Sequence, residues 1–172
     1  MTELLLPRNE EKITILPAKS EGIKNHIAEM FDKIAKRAYE LFDENGRQFG
    51  HDIEHWFKAE MELLHPVHVR ITESGNNLEV EAEVPGFNDK DLQVSVEPMQ
   101  LTISGKRESV KEEKKGKTMY AESCSGRILR IVDLPVMVDT DKVTATLKNG
   151  VLQLTMPKAV RAKTVEIRSA AA

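Results

Sequence analysis

The chain has 172 residues, 40% of them hydrophobic and 31% charged, enough to build one ordinary domain with a small extension. Its 25 basic and 28 acidic residues leave a net charge of −3, which argues against a general nucleic-acid or anionic-membrane binder. A single cysteine, Cys124, excludes an internal disulfide and a cysteine-based zinc cluster. No apolar run approaches the roughly 18–20 residues of a membrane-crossing helix. The opening MTELLLPRNEEKITILP lacks the charged-then-apolar layout of a secretory signal, so a soluble cytoplasmic protein is expected.

Residues 1–20 read as a flexible arm carrying two apolar clusters, Leu4-Leu5-Leu6 and Ile13-Thr14-Ile15-Leu16. Across residues 23–42 the apolar side chains return in steps of three and four, the period of an amphipathic helix. Asn45-Gly46 stops that helix, because glycine accepts the left-handed backbone at a helix end. Asp52 is placed to cap a second helix, in which Ile53, Trp56, Phe57, Glu60 and Leu64 recur at helical spacing. Neither helix is long enough to be stable alone, so each must pack on something.

At His65-Pro66 the pattern changes. Phe31, Tyr39, Phe42, Phe49, Trp56 and Phe57 precede this boundary, and only Phe87 and Tyr120 follow it. The second part must build its core from Val, Leu, Ile and Met, which suits stacked β-sheets. Val67, Val69 and Ile71 alternate with polar residues up to a turn at Gly75-Asn76-Asn77. Leu78, Val80, Ala82 and Val84 alternate again until Pro85-Gly86. Leu92, Val94 and Val96 predict a third strand, and Leu101 and Ile103 a fourth that ends at Gly105. The charged stretch 106–117 reads as a solvated loop, and a further strand covers 127–133. The last hairpin turns at Asn149-Gly150, the preferred pair where both positions need positive φ. That turn sets Leu147 opposite Leu152, Ala145 opposite Leu154 and Val143 opposite Met156, all on one face. Many short strands at this spacing predict a mainly β protein, an immunoglobulin-like antiparallel sandwich preceded by a small helical hairpin.

Signals of catalysis are weak. Gly116-Lys117-Thr118 resembles the end of a phosphate-binding loop, but Lys111 stands where the motif needs glycine. His51 and His55 have the spacing of helix-borne metal ligands; Asp52 follows the first histidine where zinc proteases carry Glu, and neutral imidazoles on a solvated face are the simpler reading. The basic residues of 106–117 are interleaved with Glu108, Glu112 and Glu113, which favours a solvated loop over an RNA contact. Cys124 has no CxxC partner and reads as a small filler. No enzyme, no cofactor and no metal site is expected.

Several motifs resemble the small heat-shock proteins and their α-crystallin domain. Ala145-Thr146-Leu147-Lys148-Asn149-Gly150-Val151-Leu152 matches the family's A-x-x-x-N-G-V-L. Val84-Pro85-Gly86-Phe87 with Asp91-Leu92 resembles its P-G-F…D-L segment, and Ile103-Ser104-Gly105-Lys106-Arg107 its I-S-G-x-R. Arg130 precedes Leu134-Pro135 as in R-x-x-x-L-P, and Pro157-Lys158 closes the match. Departures are Ile128 and Val132, where aromatic residues are common. The resemblance divides the chain into an arm (1–20), a helical region (21–65), a sandwich domain (66–158) and a tail (159–172).

It also implies a sandwich of seven to nine strands and an ATP-independent holdase whose partners are unfolding client proteins and copies of itself, with no nucleic acid or membrane involved. An extra strand at residues 118–122 would pair with a partner subunit, placing Tyr120 and Arg130 at a dimer interface. Val165-Glu166-Ile167 resembles the family's tail motif of two aliphatics separated by one residue. Val165 and Ile167 would fill a groove on a neighbouring dimer, formed by Leu92, Val94, Val96, Val143, Ala145 and Leu147. The six N-terminal aromatics, Phe31 through Phe57, are the client-binding candidates. The helical region, with Gly46-Arg47, His51-Asp52 and Trp56-Phe57-Lys58-Ala59-Glu60, resembles a short bacterial module of uncharacterised function. The alternative is a co-chaperone or scaffold of the related sandwich type, docking one fixed partner without forming oligomers.

Overall fold

The computed structural model describes residues 10–17, 20–115 and 118–160, with the backbone alone for 109–125. Two short strands, β1 (Glu11–Lys12) and β2 (Ile15–Leu16), precede helices α1 (Glu21–Glu44) and α2 (Asp52–Leu63). Seven strands follow: β3 (Val69–Ser74), β4 (Asn77–Glu83), β5 (Leu92–Glu97), β6 (Gln100–Lys115), β7 (Thr118–Asp133), β8 (Thr144–Lys148) and β9 (Val151–Pro157). One sheet runs β1-β8-β9-β4-β3 and the other β2-β5-β6-β7; every pairing is antiparallel except β2 with β5.

Alternation builds the sandwich. In β4, Leu78, Val80 and Ala82 are buried while Glu79 and Glu83 are exposed; β9 buries Leu152, Leu154 and Met156 against them, with Val80 opposite Leu154. The other sheet contributes Leu92, Val94, Val96, Leu101, Ile103 and Ile128 to the same core. Sheet-on-sheet packing of this kind needs little aromatic volume. Asn149 and Gly150 have φ of 52° and 75°, so the hairpin turn takes the left-handed backbone at both positions. Leu147 pairs with Leu152 and Ala145 with Leu154 as the turn requires. Val143 does not pair with Met156: a 3-10 turn at Thr140–Lys142, capped by the Asp139 carboxylate accepting from the Asp141 amide at 3.2 Å, delivers the chain to β8 one residue later. On its other side Met156 faces Leu78 of β4.

Three sequence motifs meet at one corner. Arg107 donates to the Gly86 carbonyl at 2.9 Å, and its guanidinium lies 5.3 Å from the centre of the Phe87 ring. The Val84 amide donates to the Gly150 carbonyl at 2.8 Å, tying the last hairpin to the same turn. At Gly105 an added Cβ would lie 2.8 Å from Ile128 Cγ1, so only glycine lets β6 cross the core this closely.

The structure corrects the expectation of a loop at 106–117. Strand β6 does not end at Gly105 but continues to Lys115, paired residue by residue with β7 down to Lys115 opposite Thr118. Residues 118–122 are accordingly the start of β7, not a separate strand, and Tyr120 pairs with Glu113. Pairing with β5 stops at Leu92 opposite Gly105, so beyond that point the two strands form a ribbon of their own. A ribbon with no sheet to cover has no hydrophobic period to display, whereas its ladder still satisfies the backbone.

The helices cross as a pair, with Ile34 and Leu41 of α1 packed on Ala59 of α2 and on the half-buried Trp56 and Leu63. Asp52 is the first helical residue, and the preceding His51 makes no side-chain capping bond. The buried face of α2 differs from the expected one: His55 and Ala59 point inward, while Ile53 and Phe57 are exposed. Ala59 is small enough to let the helices approach, which turns the bulky residues outward. His55 is thereby buried against Phe42 (ring centres 6.2 Å apart) and does not sit on a solvated face. Arg37 clamps the pair, reaching Glu62 at 2.6 Å across the interface and Glu40 and Glu44 on its own helix.

Candidate interaction surfaces

The first surface lies where the two sheets meet at β5 and β8. Of the expected groove residues, Leu92, Val94, Val96, Ala145 and Leu147 are buried and Val143 is half-buried. The structure brings β5 and β8 to one rim of the sandwich, but it also seats the chain's own N-terminal segment there. Glu11 and Lys12 pair antiparallel with Leu147 and Thr146; Ile15 and Leu16 pair parallel with Val94 and Ser95. Between them the Ile13 amide donates to the Ala145 carbonyl at 3.0 Å, and the Ile13 side chain is 8% exposed. Residues 10–17 are therefore not a free arm but a bridge between the sheets. Lys148 holds Glu10 at 2.6 Å, and its hydrogen bond and charge keep the Glu10 carboxyl below the usual range. A cavity of about 730 Å3 remains beside the segment, lined by Ile13, Ile15, Leu16, Val96, Val143 and Ala145 among others. Val165 and Ile167 lie outside the described residues.

The second surface is made by the exposed apolar residues of the helical region. Phe31, Tyr39, Phe49 and Phe57 are exposed; Phe42 and Trp56 are half-buried. Phe42 touches Tyr39 and Phe49 (ring centres 6.1 and 5.6 Å apart), and Trp56 lies beside Phe31 at 6.0 Å. The expected set omits Ile53 and Met61, which are 70% and 82% exposed. With Phe57 between them they form a stripe at steps of four along α2, a spacing the sequence shows but that reads equally well as a buried face.

The helices join the sandwich through Arg127. Its guanidinium approaches Glu29 at 3.6 Å and the Met30 sulfur at 3.7 Å, while its carbonyl accepts from the His65 amide at 2.8 Å. His26 sits beside this contact. Burial lowers its imidazole pKa, and the charges of Arg127, Lys106 and Lys33 add to that effect against the opposing pull of Glu29. Arg130 is exposed on β7, the edge strand of its sheet. Among the described residues no three histidines, cysteines or carboxylates cluster as metal ligands would, and no helix is long and apolar enough to cross a membrane, which says nothing of strand-built barrels.

The model of the Hsp20/alpha crystallin family matches residues 70–170. The chain belongs to that family. A second model, of a protein family of unknown function designated DUF2934, matches residues 30–65, which hold most of the helical pair. Small heat shock protein C2 of Rickettsia felis is 30% identical over 144 residues, 84% of each chain. The probable 15 kDa heat shock protein of Leptospira interrogans is 37% identical over 113 residues, 65% of this chain and 85% of its own length. Among solved structures, heat shock protein 16.0 of Schizosaccharomyces pombe aligns at 28% identity with a TM-score of 0.46, covering 62% of this chain and 99% of that one. Members of the Hsp20/alpha crystallin family act in general as ATP-independent chaperones and not as enzymes.

Proposed function

We propose that this chain is a holdase: it binds unfolding proteins through the exposed apolar residues of its helical region, without nucleotide, and works as a dimer-based homo-oligomer. The observation that carries the reading is the exposed apolar stripe Ile53, Phe57 and Met61 on α2, together with the exposed Phe31, Tyr39 and Phe49 elsewhere in the helical region. Exposed apolar surface concentrated in this way points to an interaction site, and burying it against an exposed client segment is favourable by about 25 cal/mol per Å2. Because apolar burial is non-directional, such a site takes many clients and needs no chemical fuel.

In the oligomer, the β6–β7 ribbon and the open edge of β3 carry the dimer, with Tyr120 and Arg130 at its interface. The tail residues Val165 and Ile167 link dimers at the β5–β8 rim. Many weak tails acting together hold an assembly that one tail cannot. The test heats a thermolabile model protein with the chain, without ATP, and follows light scattering beside size-exclusion profiles of the parent and the Val165→Gly, Ile167→Gly variant. Suppressed scattering is expected, as is a fall to dimers in the variant with the sandwich intact. Unchanged scattering refutes the holdase. A parent that elutes as a monomer favours the fixed-partner scaffold.

A further inference from the structure

The segment Ile13-Thr14-Ile15 occupies the rim where the tail is proposed to dock, and it has the tail's own pattern. Both Ile13-Thr14-Ile15 and Val165-Glu166-Ile167 place two aliphatics one residue apart. In an extended chain such residues share a face. Ile13 packs into the sandwich core, Ile15 packs against its border, and the backbone of the segment pairs with β8 on one side and β5 on the other. An occupant seated this way uses the apolar surface of Ala145 and Val96 and the Ala145 carbonyl that a second extended strand would need.

We propose that residues 11–16 are a removable plug, and that the β5–β8 groove exchanges between this segment, bound in cis, and the tail of another copy. The inference rests on the tail-docking reading above. The described attachments are two ladders of two residues each, the Ile13 amide on the Ala145 carbonyl, the Glu11 carboxylate accepting from the Asp89 amide at 3.4 Å, one buried isoleucine and the Glu10–Lys148 ion pair. Short, edge-bound segments of this kind open locally without unfolding the domain. While the plug is seated, tail-mediated linking of dimers is suppressed; its release opens the groove and favours the larger assembly. The apparent affinity for the tail is thus reduced by the fraction of chains whose groove is open.

A fluorescent peptide of residues 161–172 serves as the probe, and anisotropy reports its binding to the full chain carrying Val165→Gly and Ile167→Gly, so that the chain's own tail does not compete. The same chain with Ile13→Ser and Ile15→Ser is expected to bind the peptide at least about tenfold more tightly, the factor for a groove open a tenth of the time or less. An unlabelled peptide of residues 10–17 is expected to displace it. Circular dichroism checks that the variant keeps its sheets, and a chain lacking residues 1–17 provides a second open-groove form with the same expected gain. Equal affinity with and without the plug residues overturns the exchange and leaves tail docking standing. No binding to any open-groove form overturns tail docking, and the exchange with it.

Discussion

Gly105→Ala tests how the sandwich gives way to the ribbon. The added methyl would lie 2.8 Å from Ile128 Cγ1, 3.1 Å from Ile128 Cδ1 and 3.1 Å from Leu92 Cδ2. Leu92 Cδ2 is the end of a flexible side chain, but Ile128 is β-branched, 1% exposed and paired directly with Gly105, so it has nowhere to turn. Overpacking of this kind costs about 1–3 kcal/mol. Replacing a strand glycine returns roughly 0.5–1 kcal/mol of backbone entropy. The net destabilisation is then at most about 2.5 kcal/mol, a fall in melting temperature of up to roughly 10 °C for a chain of this size. Urea unfolding followed by far-ultraviolet circular dichroism at fixed protein concentration measures it, with a shifted midpoint and an unchanged slope. Ile128→Ala alone costs about 2–5 kcal/mol through the cavity it leaves. It also removes both clashing atoms, so the double variant should cost at least about 1 kcal/mol less than the sum of the singles. Additive singles would refute the close-approach argument.

Other consequences follow from the helical region. Ile53→Ser with Phe57→Ser and Met61→Ser should leave the melting temperature within the range of ordinary surface changes, about ±0.5 kcal/mol, while weakening suppression of client aggregation several-fold in a light-scattering titration. The hydrogen bond and charge of Arg37 hold the Glu62 carboxyl below its usual value, so the clamp is complete above about pH 4.5 and is lost as pH falls through the depressed value. Acrylamide quenching of Trp56, the single tryptophan, should therefore rise on acidification below that point, and Arg37→Met should show the raised quenching already at neutral pH. His26, held below its ordinary value chiefly by burial, contributes stability that is complete above about pH 6.5 and lost as pH drops, because the unfolded chain then binds the extra proton. The melting temperature should fall as pH drops below about 6.5, and His26→Gln should flatten that slope.

Much of the sandwich is legible in the sequence because two independent signals agree there. At Asn149-Gly150 the turn chemistry and the alternation of Ala145, Leu147, Leu152 and Leu154 demand the same register, and the structure has it. Legibility fails where a segment's environment lies far off in the chain. Ser95, Thr102 and Ser104 alternate with the apolar residues of β5 and β6, yet all three are buried, so the outer side of these strands is covered. The ribbon beyond Gly105 carries no apolar period, since it covers no sheet. Ile13 and Ile15 are visible as an apolar cluster, but only the rim formed by β5 and β8 explains them. In α2 the sequence gives the period without the phase: Ile53 and Phe57 could face either way, and the small Ala59 decides the contact. The interaction surfaces are thus read in residue type from the sequence and in placement from the fold.

Capture of unfolding chains by burial alone is measured most directly by sedimentation velocity of a fluorescently labelled thermolabile protein after heating with this chain in nucleotide-free buffer. The labelled protein is expected to stay in solution and to sediment as a complex containing the chain, with or without added ATP. A labelled protein that pellets as it does alone, or that stays soluble only when ATP is present, would contradict it.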